Sequence, residues 1–201
     1  MKKIFFLLLL PIGCFSQIKP IAFDKKVPAA VKVQGKVVDA IRWQDSQGDN
    51  LVFLSVERKT VKSKDAPSGE AENALLHAYQ YLKQDNSYLL TWELKDAILA
   101  CPLDVTADFV PKSLAVTDLN TNGIGEVLFL YKTACRADVS SAALKLLLYE
   151  QKKKYMLRGD TYLKSMNEGG KYTIDKSFQT APKVFLEYAK KQWNKFKAEE
   201  F

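Results

Sequence analysis

The stretch of sequence that decides the fold is Val116–Lys132, VTDLNTNGIGEVLFLYK. A short apolar segment is followed by a polar loop and then by the apolar run Val127–Tyr131. This order predicts two strands joined by a loop, because apolar runs rich in β-formers and bounded by Asp, Asn and Gly are typical of hairpins. The pattern recurs along the chain, so the hairpin is its predicted building unit.

Oxygen-bearing side chains in this loop are spaced two residues apart, and Gly123 supplies a sharp bend. A tight loop can aim every second side chain inward, which suits a hard cation such as Ca²⁺. The loop resembles the calcium loops of integrin-type (FG-GAP/VCBS) propeller repeats. The predicted ligands are the side chains of Asp118, Asn120, Asn122 and Glu126 and the backbone carbonyl of Ile124. With only two carboxylates, the affinity for calcium should be weak. The alternative is a plain polar turn in which Asp and Asn cap their own backbone.

Alternating apolar and polar residues flank four turns, whose centres fall near Gly48, Asp85, Asn122 and Lys153. The predicted fold class is therefore mainly β (α+β), an antiparallel meander of about four hairpins. Two of the turns are similar in sequence: residues 45–54 (DSQGDNLVFL) and 118–130 (DLNTNGIGEVLFL) both lead from an Asp into a strand. An internal repeat and a simple recurrence of hairpins explain this similarity equally well.

A long C-terminal helix is predicted over residues 182–199 and should pack on the sheet. Pro182 suits the first turn of a helix. Apolar residues recur at intervals of three and four and form one stripe, Phe185, Tyr188, Ala189, Trp193 and Phe196. The polar stretch 57–73, which contains Pro67 and Gly69, is predicted to be an exposed loop, and 95–111 is predicted to be irregular because Pro102 and Pro111 interrupt it.

The N-terminus has the order of a secretory signal: two lysines, an apolar run and then small residues. Cleavage after Ser16 would remove residues 1–16 as a signal peptide and leave one mature domain, 17–201. It would also lower the formal net charge from +7 to +5, because two lysines are lost. The predicted location is periplasmic, at the cell surface or secreted. The alternative is a lipoprotein whose lipid is attached to Cys14. The apolar run Ile4–Leu10 is far shorter than the roughly 20 residues that a membrane helix needs, and no other apolar run is long enough to span a bilayer.

Two cysteines remain in the mature chain, Cys101 and Cys135. In an oxidising compartment an even pair most simply forms a disulfide. Closing a loop of that length should stabilise the fold by roughly 3–4 kcal/mol. The alternative is a pair of buried free thiols.

Aromatic residues on two of the predicted strands suggest a strip on which sugar rings could stack: Tyr79, Tyr81, Tyr88 and Trp92. The alternative is an ordinary hydrophobic core. His77, the only histidine, is predicted to pack among these aromatics rather than to act as a base. The lysines at 152–154 form either a solvated turn or a contact for an anionic group.

The sequence contains no GxSxG elbow, HExxH helix or phosphate-binding loop. A pair of carboxylates acting as in glycosidases stays open, with Asp104, Asp108 and Asp138 as candidates beside the cysteines. The assignment of an enzymatic activity therefore stays undecided and leans towards a non-enzymatic protein.

Longer segments of the chain resemble the secreted "surface polysaccharide biosynthesis protein" family. The resemblance rests on GDNLVFLSVE (48–57), HAYQYLK (77–83), the two cysteines, residues 116–132, KLLLYEQKKKYMLRG (145–159) and the helical segment 181–196, which begins with AP and ends in WNKF. It implies a supporting role in lipopolysaccharide or capsule at the cell surface, with surface polysaccharide or cell-envelope proteins as partners. It implies no reaction and no catalytic residues. The alternatives are a glycan-active hydrolase or transferase and a structural module without its own ligand; nucleic acid is not an expected partner.

Overall fold

The computed structural model describes residues 18–200, and most of the ordered elements are strands. In chain order the elements are β1 Lys36–Asp45, β2 Gly48–Lys62, β3 Glu70–Gln84, β4 Ser87–Cys101, β5 Asp104–Phe109, β6 Ala115–Thr117, β7 Glu126–Arg136, β8 Ala143–Glu150, β9 Lys153–Asp160, β10 Tyr162–Leu163, β11 Glu168–Gly169, β12 Tyr172–Ile174, a 3₁₀ helix Lys176–Thr180, the helix α1 Lys183–Phe196 and β13 Ala198–Glu199.

Two antiparallel sheets form the body of the protein. The first sheet is a meander in the order β1-β2-β3-β4, and the second has the order β12-β9-β8-β7-β5, with β6 also paired to β7. The predicted mainly β fold with hairpin meanders and one C-terminal helix is confirmed. The two turns that are similar in sequence join β1 to β2 and β6 to β7. The first turn therefore belongs to the first sheet and the second turn to the second sheet.

Apolar residues from both sheets meet in a shared core. Alternation along the strands sends one face of each sheet into it, and its largest members include Trp43, Leu54, Leu76, Trp92, Phe129 and Tyr149. A second cluster lies on the other face of the second sheet, where α1 packs through Phe185, Ala189 and Trp193. A third covers the outer face of the first sheet, where residues of the N-terminal arm, among them Val31, pack on Phe53. The order of layers is therefore arm, first sheet, second sheet, helix.

The strands run further than the sequence predicts in two places. The stretch 57–73 is largely strand, because β2 and β3 stay paired as far as Lys62 and Glu70, and only the turn between those residues is irregular. Polar side chains face outward there, and Arg58 bonds Glu72 across the two strands at 2.6 Å. Similarly, β4 and β5 occupy most of the stretch 95–111. Strands whose exposed face is polar lack a continuous apolar run, so a prediction based on apolar runs misses them.

Helix α1 follows Pro182, as predicted, but ends at Phe196 rather than at residue 199. The backbone N–H of Lys197 still bonds the Trp193 carbonyl at 2.9 Å. Two residues later Glu199 is buried and accepts hydrogen bonds from Lys132, Arg136 and Thr161. These partners hold residues 198–199 as β13 beside β10, so the chain leaves the helical path.

The predicted disulfide is confirmed. Cys101 ends β4 in the first sheet and Cys135 lies near the end of β7 in the second, with the two Cα atoms 5.7 Å apart. The bond therefore joins the two sheets at the point where the chain crosses from one to the other.

The predicted signal peptide, its cleavage site and the alternative lipidation at Cys14 lie outside the described residues. Within residues 18–200, no helix combines the length and the apolar character needed to cross a membrane.

Candidate functional site

The aromatic residues predicted for sugar stacking lie on the outer face of the first sheet. Tyr79 and Tyr81 on β3 and Tyr88 on β4 line one groove of about 490 Å³, together with His77 and residues of the N-terminal arm. We call it the tyrosine groove. The Tyr79 ring centroid is 5.9 Å from His77 and 6.4 Å from Tyr81, so three rings follow one another along β3.

Trp92 does not belong to this groove, in contrast to the sequence prediction. A β-bulge pairs Gln80 with Trp92 but Tyr81 with Leu90, so β4 carries one extra residue, Thr91. An inserted residue reverses the side on which the following residues point. The Trp92 side chain therefore faces the core between the sheets and stacks on Tyr149, with ring centroids 4.0 Å apart.

The tyrosines of the groove are also core residues, because the arm covers them. Tyr79 and Tyr81 are each only 6% exposed, and the Tyr81 hydroxyl donates a hydrogen bond to the Lys32 carbonyl. Tyr88 and Leu90 are more open. The groove therefore presents mainly Tyr88 and Leu90, with little surface from Tyr79 and Tyr81, rather than a flat strip of exposed ring faces. Glu93 and Lys95 on β4 provide charged groups along the same wall.

His77 packs in the sheet, as the sequence predicts. Its side chain is buried, and Nε2 has no hydrogen-bond partner among the described residues. The Glu57 carboxylate lies 3.8 Å away, too far for a hydrogen bond. Burial is the main cause that lowers the pKa of His77 below 6.5, and the positive charge of the nearby Lys95 adds to it, so the ring is neutral at pH 7.

The loop between β6 and β7 is held by its own side chains. Asp118 Oδ2 accepts from the Gly123 N–H, and the side-chain oxygens of Asn120 and Asn122 each accept a backbone N–H two residues further on. Both Asn side-chain amides donate to Glu150 Oε1, at 2.7 and 2.8 Å. Within residues 18–200 no three His, Cys, Asp or Glu side chains are grouped as metal ligands. The convergence of the five predicted donors, including the Ile124 carbonyl, on one cation therefore stays a prediction.

Two carboxylate oxygens in this loop have no partner within the described chain, Asp118 Oδ1 and Glu126 Oε1. Glu126 is completely buried, and its other oxygen accepts from the Leu119 N–H at 2.8 Å and from the Thr117 hydroxyl. Burial, assisted by the negative charge of Asp118, raises the pKa of Glu126 from 4.5 to about 7. A proton or a cation bound by these carboxylates would give the unpaired oxygens a partner and would offset the cost of burying negative charge.

A second pocket, which the sequence analysis missed, opens at the end of the sandwich beside this loop. We call it the end pocket. It has a volume of about 380 Å³ and is formed by four segments that are remote in sequence. Its lining includes Asn50, Gln80, Leu82, Leu89, Ile124 and Lys152. The only sequence signal for it is the similarity of the turns at 45–54 and 118–130, which meet here: Ser46 donates to the Gly123 carbonyl at 2.9 Å.

The carboxylates considered for hydrolysis do not gather in either pocket. Asp108 pairs with Arg58 at 3.1 Å, and Asp138 accepts from the Ser140 hydroxyl at 2.7 Å. Asp104 is exposed at the start of β5. None of the three lines the tyrosine groove or the end pocket.

Comparison of the chain with protein-family models, with curated proteins and with solved structures finds no match.

Proposed function

We propose that this chain is an exported, non-enzymatic protein that supports surface polysaccharide by binding glycan in the tyrosine groove. The observation that carries the proposal is that Tyr79, Tyr81 and Tyr88 line one groove with His77. The Cα atoms of His77 and Tyr81 are four residues apart on one strand, a span of roughly 13 Å. That length suits a short run of sugar units better than a single small molecule.

The chemistry of the groove supports a sugar ligand. Tyr88 and Leu90 offer apolar surface to the CH faces of a sugar ring, and the Glu93 carboxylate can accept hydrogen bonds from its hydroxyls. Lys95 adds a positive charge that would favour a glycan carrying carboxylate or phosphate groups. Because the arm already orders Tyr79 and Tyr81, little side-chain entropy would be lost on binding.

Binding is tested on a glycan array with wild-type protein and Tyr88→Ala, and with Tyr162→Ala as the control, because Tyr162 is an aromatic outside the groove. Loss of the Tyr88 ring should weaken binding about two- to tenfold, and the control should bind as the wild type does. If the wild type binds no glycan on the array, the proposal is rejected, and the alternative of a structural module without its own ligand is favoured.

The enzymatic alternative is tested on the same glycans. Mass analysis of any bound glycan after incubation should find it unchanged if the protein only binds. A shortened or transferred product would establish a hydrolase or transferase instead. The catalytic carboxylates would then have to be residues other than Asp108 and Asp138, which are paired with Arg58 and Ser140.

Export is supported by the disulfide, which is typical of oxidising compartments. Mass spectrometry of the exported protein should find Gln17 at its N-terminus. A diacylglyceryl group on Cys14 would instead place the protein on a membrane surface.

Calcium binding at the loop 118–126 is a second proposed function. It is favoured by the two partnerless oxygens, on Asp118 and Glu126, that lie in an otherwise hydrogen-bonded loop. These two carboxylates would hold the ion, and the asparagines that bond Glu150 would keep the loop in shape. Calcium would supply a positive charge to the buried Glu126 and the partly buried Asp118.

A further inference from the structure

The end pocket has the features of a preformed ligand site, and it is separate from the tyrosine groove. Its lining residues Gln80, Leu82 and Leu89 alternate along β3 and β4 with those of the groove, so it lies on the opposite face of the first sheet. The β1–β2 turn, the β3–β4 hairpin, the loop 118–126 and the β8–β9 turn come together there. Its volume of about 380 Å³ falls within the range of pockets that bind small molecules.

A chain of buried hydrogen bonds fixes the floor of the pocket. The Trp92 indole N–H donates to Gln80 Oε1, Gln80 Nε2 donates to Asn50 Oδ1 at 2.9 Å, and Asn50 Nδ2 donates to Asp45 Oδ1 at 3.0 Å. Asn50 and Gln80 are almost fully buried. Each member orients the next, so the floor does not need to be ordered by a ligand.

The Asp45 carboxylate also lines the pocket, and its negative charge is stabilised by hydrogen bonds from neutral donors. Asp45 Oδ1 also accepts from the Gln47 N–H, and Oδ2 accepts from the Trp43 indole N–H and from the Gly125 N–H. Together with Asn50, four donors therefore surround this carboxylate. An anion entering the pocket meets a carboxylate whose acceptor positions face the protein rather than the ligand.

The side walls of the pocket are apolar. Leu82 on β3, Leu89 on β4 and Ile124 in the loop line it, and Leu89 is 49% exposed. Burying the exposed half of such a leucine under an apolar ligand group would contribute favourable free energy to binding.

The rim of the pocket is positively charged. Lys152 and Lys153 line it, and neither forms an ion pair with another residue in the range 18–200. The adjacent Glu150 accepts hydrogen bonds from Asn120 and Asn122 and does not line the pocket. Apolar walls below and two free ammonium groups above are complementary to a ligand with an apolar body and an anionic head.

We propose that the end pocket binds a small amphipathic anion, with its apolar body against Leu82, Leu89 and Ile124 and its carboxylate or phosphate between Lys152 and Lys153. This site is independent of glycan binding in the tyrosine groove. The apolar wall and the lysine pair each contribute part of the affinity, which gives the proposal two separable parts.

Isothermal titration calorimetry with sodium octanoate tests the whole proposal, and two further probes test its parts. Octan-1-ol has the body without the charge, and inorganic phosphate has the charge without the body. The variants are the double substitution Lys152→Ala/Lys153→Ala and, for the wall, Leu89→Asn. The matched controls are Lys154→Ala, the next residue of β9, and Leu99→Asn, an exposed leucine of β4; neither residue lines the pocket.

Octanoate should bind the wild type saturably and more tightly than either octan-1-ol or phosphate. The double lysine variant should bind octanoate about fivefold more weakly, with octan-1-ol unchanged, and added salt should produce the same selective loss. Leu89→Asn should weaken both octanoate and octan-1-ol, and both controls should match the wild type. The absence of saturable octanoate binding, equal affinity for octanoate and octan-1-ol, or equal losses in the control variants would each overturn the proposal.

Discussion

Replacing the buried carboxyl of Glu126 should change how stability depends on pH. In the folded protein burial raises the pKa of this group to about 7, whereas the unfolded chain has the ordinary value of 4.5. Between pH 4.5 and pH 7, Glu126 is therefore largely protonated in the folded protein and largely ionised in the unfolded chain. The contribution of Glu126 to stability is therefore greatest below pH 4.5 and falls as the pH rises to about 7. The total loss is about 3 kcal/mol.

The groups that face Glu126 do not cancel this effect. Asp118 and the cross-strand neighbour Glu150 are acidic and oppose a second negative charge. Tyr155 and Tyr188 also sense Glu126, but burial raises the pKa of each above 10, so neither titrates between pH 4 and pH 8. Glu126→Gln keeps an acceptor for the Leu119 and Thr117 donors while it removes the charge.

Urea unfolding followed by tryptophan fluorescence, in EDTA and at several pH values from 5 to 8, measures the effect. The variant Glu126→Gln should be about 3 kcal/mol more stable than the wild type at pH 8, and the difference should shrink steadily towards pH 5. The control Glu93→Gln, at an exposed carboxyl of β4, should keep the wild-type profile. Parallel profiles for Glu126→Gln and wild type would refute the conclusion that this carboxyl is buried without a counter-charge.

Three other measurements test the remaining features. Replacing Cys101 and Cys135 together by Ala should lower the free energy of unfolding by about 3–4 kcal/mol, because the bond closes a separation of 34 residues; an unchanged urea midpoint without reductant would contradict this. Glu199→Gln should cost about 3 kcal/mol at pH 7, since Lys132 would lose its buried partner, whereas Glu200→Gln should be neutral in the same urea titration. Calcium at 1 mM should stabilise the wild type by about 1.4 kcal/mol if its dissociation constant is about 0.1 mM. That gain should be absent in Asp118→Ala, and identical melting curves in calcium and EDTA would leave a plain turn.

The hairpins and the helix could be predicted because their signals are local. Alternation along a strand and the three- and four-residue spacing around Trp193 depend only on neighbouring positions. The bulge beside Trp92 is not local, since it depends on how β3 and β4 align, and one extra residue moved this ring from the groove to the core. The end pocket was hidden for the same reason, because Asp45 and Gly125 are 80 residues apart and meet only in the folded chain.

The contact between those two residues also changes how the loop 118–126 should be understood. A side chain at Gly125 would place its Cβ only 2.4 Å from the Trp43 indole nitrogen, so only glycine lets the loop reach the Asp45 carboxylate. That contact and the Asn amides on Glu150 explain why the loop is rich in Asp, Asn and Gly without any ion. They do not explain why Glu126 is fully buried while one oxygen of Glu126 and one of Asp118 have no hydrogen-bond partner within residues 18–200. The case for a ligand in this loop therefore rests on that carboxylate pair and not on the spacing that first suggested it.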